Sequence, residues 1–110
     1  DTRAGHFRVT YCCHARTIEN QMYVVTCGFV GNIANVATLE MAYAQSAILT
    51  PNDYGFARDG IAAQTEPQVE QIIFAELDMA TLAEARTDGS VKNLADRRRD
   101  LYHVRWEGES

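Results

Sequence analysis

The chain has 110 residues, of which 46% are hydrophobic and 23% charged, a composition that fits one soluble domain and excludes a disordered or fibrous protein. Ten basic and fifteen acidic residues give a formal net charge of -5, which argues against nucleic-acid binding because an acidic surface repels phosphates. No apolar run approaches the roughly 20 residues of a transmembrane helix and no charged-then-apolar leader opens the sequence, so we expect a cytoplasmic protein that does not bind membranes.

The first predicted element is an amphipathic helix from Arg3 to about Gln21. Its larger apolar side chains recur at spacings of three and four residues, which is the period of one helix face. These side chains form a stripe of Phe7, Tyr11, Ala15, Ile18 and Met22. Asp1 or Thr2 is expected to cap the helix by accepting free backbone N–H groups.

Four strands are predicted after this helix, at residues 23–29, 44–50, 60–64 and 69–77. The first is β-branched and apolar on both alternating faces, which is typical of a strand covered on both sides. The last contains Ile72, Phe74 and Leu77 and is predicted to be a core strand. Residues 33–41 have no clean period and are predicted to form a loop. The turns between the strands are short, which favours an antiparallel meander.

A second helix is predicted from about residue 79 to residue 86. Asp78 is a suitable N-cap for it, and Gly89 lies beyond its C-terminal end. Leu82 and Ala85 share its inward face. The order of elements defines an α+β protein with both helices on one face of a sheet. The first strand is apolar on its other face as well, so the fold requires a further layer.

Residues 91–110 are predicted to form a basic, extended tail. Residues 59–88 carry seven acidic side chains and a single arginine, whereas residues 90–105 carry five basic and two acidic side chains. Such a tail either remains in solvent or docks on a neighbouring subunit.

Five short motifs follow one another over nearly the whole chain. They are CHARTIENQMYVV at residues 13–25, Gly31-Asn32, AQSAILTP at residues 44–51, FAELD at residues 74–78 and DRRRDLY at residues 96–102. The first resembles C-A-R-A-x-x-x-E-N-x-x-Y-V-V of the nitrilase, or carbon–nitrogen hydrolase, superfamily. The third and the last resemble its G-x-S-x-I-x-x-P and D-R-R-x-D-L-Y motifs. YAQS at residues 43–46 and FARDG at residues 56–60 resemble a branch whose members are sometimes fused to an acetyltransferase domain.

The resemblance implies that residues 1–90 are the C-terminal part of an α-β-β-α sandwich, in which two sheets pack face to face between outer helices. The N-terminal half of the same fold would supply the missing layer, and a second copy would pack helix to helix in a homodimer. Family members hydrolyse amide or nitrile bonds of small molecules through a Cys nucleophile, a Glu base and a Lys that stabilises the charged intermediate. No cofactor is expected.

The catalytic residues of the family precede the matched segments, so the resemblance assigns none of them to this chain. The single lysine, Lys92, lies in the basic tail, where the family has no catalytic lysine. We therefore expect the 110 residues alone to be inactive and the activity to belong to a longer hydrolase. A non-catalytic interaction module of the same fold is the alternative.

Four residues are candidates for lining a substrate pocket, namely Cys27, Gly28, Gln45 and Ser46. Cys27 and Gly28 lie late in the first predicted strand, and the ends of such strands tend to border a site. Gln45 and Ser46 lie on the matched strand that approaches the substrate in relatives. The alternatives are a small core residue at Cys27 and pairing across strands at Gln45 and Ser46.

The sequence does not support a metal site or a cysteine nucleophile within the first helix. Cys13 and His14 are consecutive in a predicted helix, so they do not face each other as a nucleophile and its base would. The three histidines, His6, His14 and His103, lack metal-ligand spacing. Three cysteines without a C-x-x-C spacing indicate neither a zinc ribbon nor a disulfide framework.

Overall fold

The computed structural model describes residues 2–31, 34–35 and 43–108 and has an α+β architecture. Its elements in chain order are α1 (Thr2–Asn20), β1 (Val24–Thr26), β2 (Ala47–Leu49), β3 (Ile61–Gln64) and α2 (Met79–Asp88). The strands form an antiparallel sheet in the order β1-β2-β3. The two predicted helices and the antiparallel meander are confirmed. Among the described residues, however, the sheet has three strands rather than four.

Among the described residues, α1 covers one face of the sheet and no helix covers the other. The β2 side chains that face α1, Ala47 and Leu49, are only 8% and 1% exposed. Because successive side chains of a strand alternate between the two faces, Ile48 points to the opposite face. There the register pairs Ile48 with Val25 on one side and with Ala63 on the other. Val25, Ile48 and Ala63 form an apolar row that we call the open row, and Val25 is 66% exposed.

Residues 69–77 do not form the predicted core strand. Ile72 and Phe74 are 80% and 86% exposed, and the segment pairs with no strand among the described residues. Half-buried side chains alternate with exposed ones along it, at Ile73, Ala75 and Leu77. The sequence therefore carries the alternation of a strand. A strand also needs a neighbouring backbone to pair with, and the described part of the chain offers none.

α1 turns its apolar stripe toward solvent and a smaller, more polar face toward the sheet. Thr17 on that polar face is completely buried, at 0% exposure, and its hydroxyl donates to the His14 carbonyl at 2.7 Å. The large side chains of the stripe are between 39% and 68% exposed, at Phe7, Tyr11, Ile18 and Met22. The spacing of apolar residues thus identifies the helix, but the face that packs on the sheet is the other one.

Gln21 follows α1 in the left-handed conformation, with φ at 48°. The Met22 N–H donates to the Thr17 carbonyl at 3.2 Å, which is the bond of a Schellman C-cap, where glycine is the usual residue. The Gln21 side chain accounts for the exception. It is 3% exposed, and its Nε2 donates to the carbonyls of Ala85 and Val91, both at 3.0 Å. Gln21 therefore joins α1, α2 and the start of the tail.

Two substitutions of Gln21 separate the stability contributed by its side-chain hydrogen bonds from the cost of its positive φ. Gln21→Ala is expected to destabilise the protein by about 2 kcal/mol, because the Ala85 and Val91 carbonyls lose their hydrogen-bond donor. Gln21→Gly removes the same amide but relieves the positive φ, so it is expected to be about 1 kcal/mol more stable than Gln21→Ala. Urea denaturation compares the two variants with the unsubstituted protein. Equal stability of the two variants would show that the backbone is not strained here.

α2 begins at a side-chain cap. Asp78 Oδ1 accepts the Ala80 N–H at 2.8 Å and the Thr81 N–H at 3.3 Å. Leu82 and Ala85 are 2% and 5% exposed, so the predicted cap and the predicted inward face are both confirmed. The Thr81 and Ala80 N–H groups hold the pKa of the Asp78 carboxyl below its usual value, because they stabilise the charged form.

The cap predicts how stability depends on pH. Because the pKa of Asp78 is lower in the folded chain than in the unfolded chain, its contribution is complete above the unfolded value of about 3.9 and is lost as the pH falls through the folded value. Asp78→Asn keeps an acceptor of similar capping strength but does not titrate. We expect this variant to lose less stability than the unsubstituted protein between pH 5 and pH 2. At pH 7, Asp78→Ala is expected to lower the Tm by a few degrees.

Two predictions fall outside the described part of the molecule. These are the helix cap at Asp1 or at the Thr2 side chain, and the loop at residues 33–41, of which only residues 34 and 35 are described, as a turn. No helix in the described ranges is both long enough and apolar enough to cross a membrane.

The chain exposes much more surface than a compact protein of its mass. Its accessible surface is 8567 Å², whereas a monomeric protein of 12.3 kDa typically exposes about 6,100 Å². Its radius of gyration is 17.6 Å, against about 13 Å for a compact domain of this length. Much of the excess is apolar, since residues such as Phe74, Val104 and Trp106 are more than 85% exposed. The described residues thus leave these apolar side chains uncovered.

Candidate functional site

The four candidate pocket residues lie together where β1 ends and β2 begins. The Gly28 N–H donates to Ser46 Oγ at 3.0 Å, across the gap between the two strands. Cys27 precedes Gly28 and is exposed, and Gln45 precedes Ser46 and is half-buried. The sequence placed these residues on two separate strands, and the antiparallel pairing of β1 with β2 brings them to one end of the sheet.

Thr65 completes this cluster from the third strand. The Ser46 N–H donates to the Thr65 hydroxyl at 2.9 Å, and the Thr65 N–H donates to the Ser46 carbonyl at 2.9 Å. Gln45 Nε2 donates to the Thr65 carbonyl at 2.8 Å. Thr65 is only 5% exposed. Sequence reasoning missed it, although its position directly after the predicted strand at residues 60–64 placed it at the same edge of a meander.

The bonds around Ser46 explain why β1 and β2 are shorter than the strands predicted at residues 23–29 and 44–50. Beyond Thr26, the Gly28 N–H bonds to a side-chain hydroxyl instead of a β2 carbonyl. The Thr26 hydroxyl itself accepts the Ala47 N–H at 3.1 Å. Side-chain hydroxyls thus accept the Gly28 and Ala47 N–H groups at this end of the sheet.

Gly28 lies in a position with no room for a side chain. A Cβ atom on Gly28 would lie 2.4 Å from the Cβ of Ala44, a distance that carbon atoms do not reach without displacement. Ala44 is 6% exposed and belongs to the segment that leads into β2. The turn after β1 is therefore held against residues 44–46 both by close packing and by the hydrogen bond to Ser46.

Gln45 and Ser46 face opposite sides of the sheet. Gln45 lines a small internal cavity between the sheet and α1, whose polar lining also includes His6, Thr10, His14, Thr26 and Gln64. Its volume of about 30 Å³ corresponds to one water molecule, which is too small for an organic substrate. Side chains alternate between the two faces along β2, so Ser46 lies on the face of the open row. The same alternation along β1 places Cys27 on that face.

The groups of the cluster are suited to binding and orientation. The cluster carries a thiol, a side-chain amide, two hydroxyls and a backbone without a side chain. These groups belong to Cys27, Gln45, Ser46, Thr65 and Gly28. Within the described part of the chain, no carboxylate, amine or imidazole forms a hydrogen bond with any of these side chains. Lys92 lies in the tail, where its carbonyl accepts the Asp96 N–H at 2.9 Å. The described residues thus place no acid–base pair beside Cys27.

A second polar cluster joins the loop after β2 to the end of α2. Asp53 Oδ2 accepts the Ser90 N–H at 3.0 Å, and Oδ1 accepts the Ser90 hydroxyl at 2.8 Å and the Tyr54 N–H at 2.7 Å. Partial burial raises the pKa of Asp53, but these hydrogen bonds outweigh it and hold the pKa below its usual value. Every bond of this carboxylate fixes the loop, so we assign Asp53 a structural role.

The comparisons with known proteins find one informative relative. A curated protein of Bacillus subtilis (strain 168), named "Probable hydrolase YhcX", is 43% identical over 107 residues. The match covers 97% of this chain but 21% of that protein, so the chain spans about a fifth of its relative's length. No known family profile matches the chain, and no solved structure matches it. The relative is named as a probable hydrolase, and that name specifies neither the bond nor the substrate.

Proposed function

We propose that this chain is the C-terminal part of a nitrilase-superfamily hydrolase that cleaves the carbon–nitrogen bond of a non-peptide amide or nitrile. The observation that carries the proposal is the open row. An α+β sheet with one helix-covered face and one exposed apolar face fits half of a sandwich, in which a second sheet would cover the apolar face. The order of the motifs and the similarity to a protein named as a hydrolase support the same assignment.

The proposed chemistry uses residues that precede this chain in the complete protein. A Cys thiolate attacks the carbon of the amide or nitrile, a Glu transfers protons, and a Lys stabilises the charge that develops on the substrate. In this proposal Cys27, Gly28 and Ser46 contribute a wall of the substrate pocket at the end of β1, and Gln45, which faces α1, supports that wall through its hydrogen bond to the Thr65 carbonyl. No cofactor takes part in these steps.

The proposal assigns an occupant to each exposed apolar surface. The N-terminal half of the same fold covers the open row, and a second copy packs on the apolar stripe of α1. Residues 97–102 of the tail contact that second copy, because their basic side chains complement the acidic surface that residues 59–88 provide. The motifs at residues 43–46 and 56–60 further support the branch that is sometimes fused to an acetyltransferase domain.

A non-catalytic interaction module of the same fold is the second candidate. It is favoured by one observation, namely that the described residues place no acid–base pair near Cys27. The two candidates differ in the sequence that precedes Asp1. A hydrolase has an upstream Glu, Lys and Cys, whereas an interaction module has none of this set.

The test is an assay of the complete gene product. Ammonia release is measured from a panel of small aliphatic and aromatic amides and nitriles. We expect turnover of at least one compound, and we expect replacement of the upstream cysteine by alanine to abolish it. A complete product that carries Glu, Lys and Cys but releases no ammonia from any compound would contradict the proposal.

A further inference from the structure

A small cavity between α1 and the sheet is lined by six polar side chains. They are His6, Thr10 and His14 on α1 and Thr26, Gln45 and Gln64 on the side of the sheet. The three on α1 are spaced four residues apart, so they share one face of the helix. Within the described part of the chain, no hydrogen bond joins a side chain of the first set to one of the second. Two polar surfaces therefore face each other without a direct link.

The two hydroxyls of this lining are engaged on their own side of the cavity. The Thr10 hydroxyl donates to the His6 carbonyl at 2.8 Å, within α1. The Thr26 hydroxyl accepts the Ala47 N–H at 3.1 Å and donates to the Ala47 carbonyl at 3.4 Å, within the sheet. Both hydroxyl protons are therefore used by backbone carbonyls and do not bridge the cavity.

Two half-buried groups of the lining have no hydrogen-bond partner among the described residues, namely the His14 ring and Gln45 Oε1. The carbonyl of His14, and not its ring, accepts the Thr17 hydroxyl. Gln45 Nε2 donates to the Thr65 carbonyl at 2.8 Å, which leaves Oε1 as an unused acceptor. One of these groups lies on each side of the cavity. Because polar groups withdrawn from bulk water without a hydrogen bond cost free energy, the arrangement favours a bridging molecule.

The cavity has room for a single water molecule. Its volume is about 30 Å³, which matches the share of liquid volume that one water occupies. A water has two hydrogens and two lone pairs, so it can donate to Gln45 Oε1 and bond to whichever nitrogen of the His14 ring faces it. We propose that one bound water occupies this cavity, hydrogen-bonds both His14 and Gln45, and thereby links α1 to the sheet.

The lining suits a neutral water better than a metal ion. Within the described ranges, no three side chains of His, Cys, Asp or Glu lie close enough together to hold a metal, and the sheet contributes only amides and a hydroxyl to the polar lining. The water extends the polar cluster at Thr65 toward α1, because Gln45 bonds both to the water and to the Thr65 carbonyl. This hydration site does not depend on the proposed hydrolase activity.

The first test is a crystal structure of the complete gene product at a resolution that shows ordered waters. We expect density for one water within about 3.2 Å of both Gln45 Oε1 and a nitrogen of the His14 ring. Absence of this density, or a water that contacts only one of the two residues, would overturn the proposal. A complete product that hydrolyses nothing would contradict the proposed function and would leave this structural result unaffected.

A double-mutant cycle in the complete gene product measures the same link in solution. His14→Leu and Gln45→Met each remove one partner of the water, and each is expected to lower the Tm. Because either substitution alone breaks the bridge, the two together are expected to lower the Tm by about 2 °C less than the sum of the single losses. Purely additive losses would overturn the bridge.

Gln71→Met is the matched control for this cycle. The Gln71 side chain also bonds to a backbone group, the Glu66 N–H, but it is exposed and does not line the cavity. Its effect on the Tm is expected to add to that of His14→Leu. Coupling of the same size in the control pair would show a general effect on stability and would overturn the bridge as well. If a variant fails to fold, the crystal structure of the unsubstituted product decides.

Discussion

The 110-residue chain produced alone is expected to hydrolyse neither amides nor nitriles. Enzymatic hydrolysis requires an acceleration of at least about a million-fold, which a pocket wall cannot supply without a nucleophile, a base and a group that stabilises charge. The groups around Cys27 are neutral hydroxyls and an amide, and the single lysine, Lys92, lies in the tail. The described residues thus form no hydrogen-bonded set of nucleophile, base and cation around Cys27.

The measurement is ammonia release from the purified chain at high protein concentration. We expect a rate equal to that of buffer, and we expect activity to appear only in the complete gene product. Cys13→Ala and Cys27→Ala serve as controls for hidden thiol catalysis. Turnover by the chain alone that either substitution abolishes would contradict the expectation and would locate a nucleophile within these residues.

Local signals in the sequence were sufficient to predict elements that depend on neighbouring residues. The spacing of apolar residues identified α1, the carboxylate of Asp78 identified the start of α2, and short turns identified the meander. The two helix signals are determined by contacts within a few residues along the chain, whereas the strand pairing joins residues far apart in sequence, such as Val24 and Leu49. The structure agrees with all three.

Features that depend on distant partners were not predictable in the same way. Residues 69–77 alternate like a strand, but strand pairing requires a backbone that the described residues do not contain. Gln21 occupies a position that favours glycine, because its side chain binds carbonyls 64 and 70 residues further along. Thr65 belongs to the site cluster only because β2 pairs with β3 in the observed register. Cys27 and Gly28 were predicted from their position at the end of a strand, and Gln45 and Ser46 from the resemblance. The pocket role of all four residues stays a prediction.

The second large effect expected is that the isolated chain does not persist as a monomer. Its accessible surface of 8567 Å² is about 2,500 Å² larger than that of a compact monomer of the same mass. Exposed apolar side chains contribute to this excess on the open row at Val25, along residues 69–77 at Ile72 and Phe74, and in the tail at Val104 and Trp106. Contiguous apolar patches beyond a few hundred Å² are rare on soluble monomers. Such surfaces become buried by association.

Light scattering is expected to give a mass of at least twice 12.3 kDa, and a hydrophobic dye such as ANS is expected to bind. Val25→Asp and Phe74→Asp place a charge on the open row and on residues 69–77, so each is expected to reduce association and dye binding. Tyr54→Asp is the matched control, because Tyr54 is 84% exposed but lies in the loop after β2, away from the open row.

A stable 12.3 kDa species that melts cooperatively and binds no dye would contradict this expectation. The two aspartate variants also distinguish the surfaces from one another. If the N-terminal half of the same fold covers the open row in the complete protein, Val25→Asp should destabilise the complete protein by about 3 kcal/mol, because it buries an unpaired charge between the two sheets. Tyr54→Asp should leave the stability of the complete protein nearly unchanged, since an exposed substitution changes it by at most about 0.5 kcal/mol.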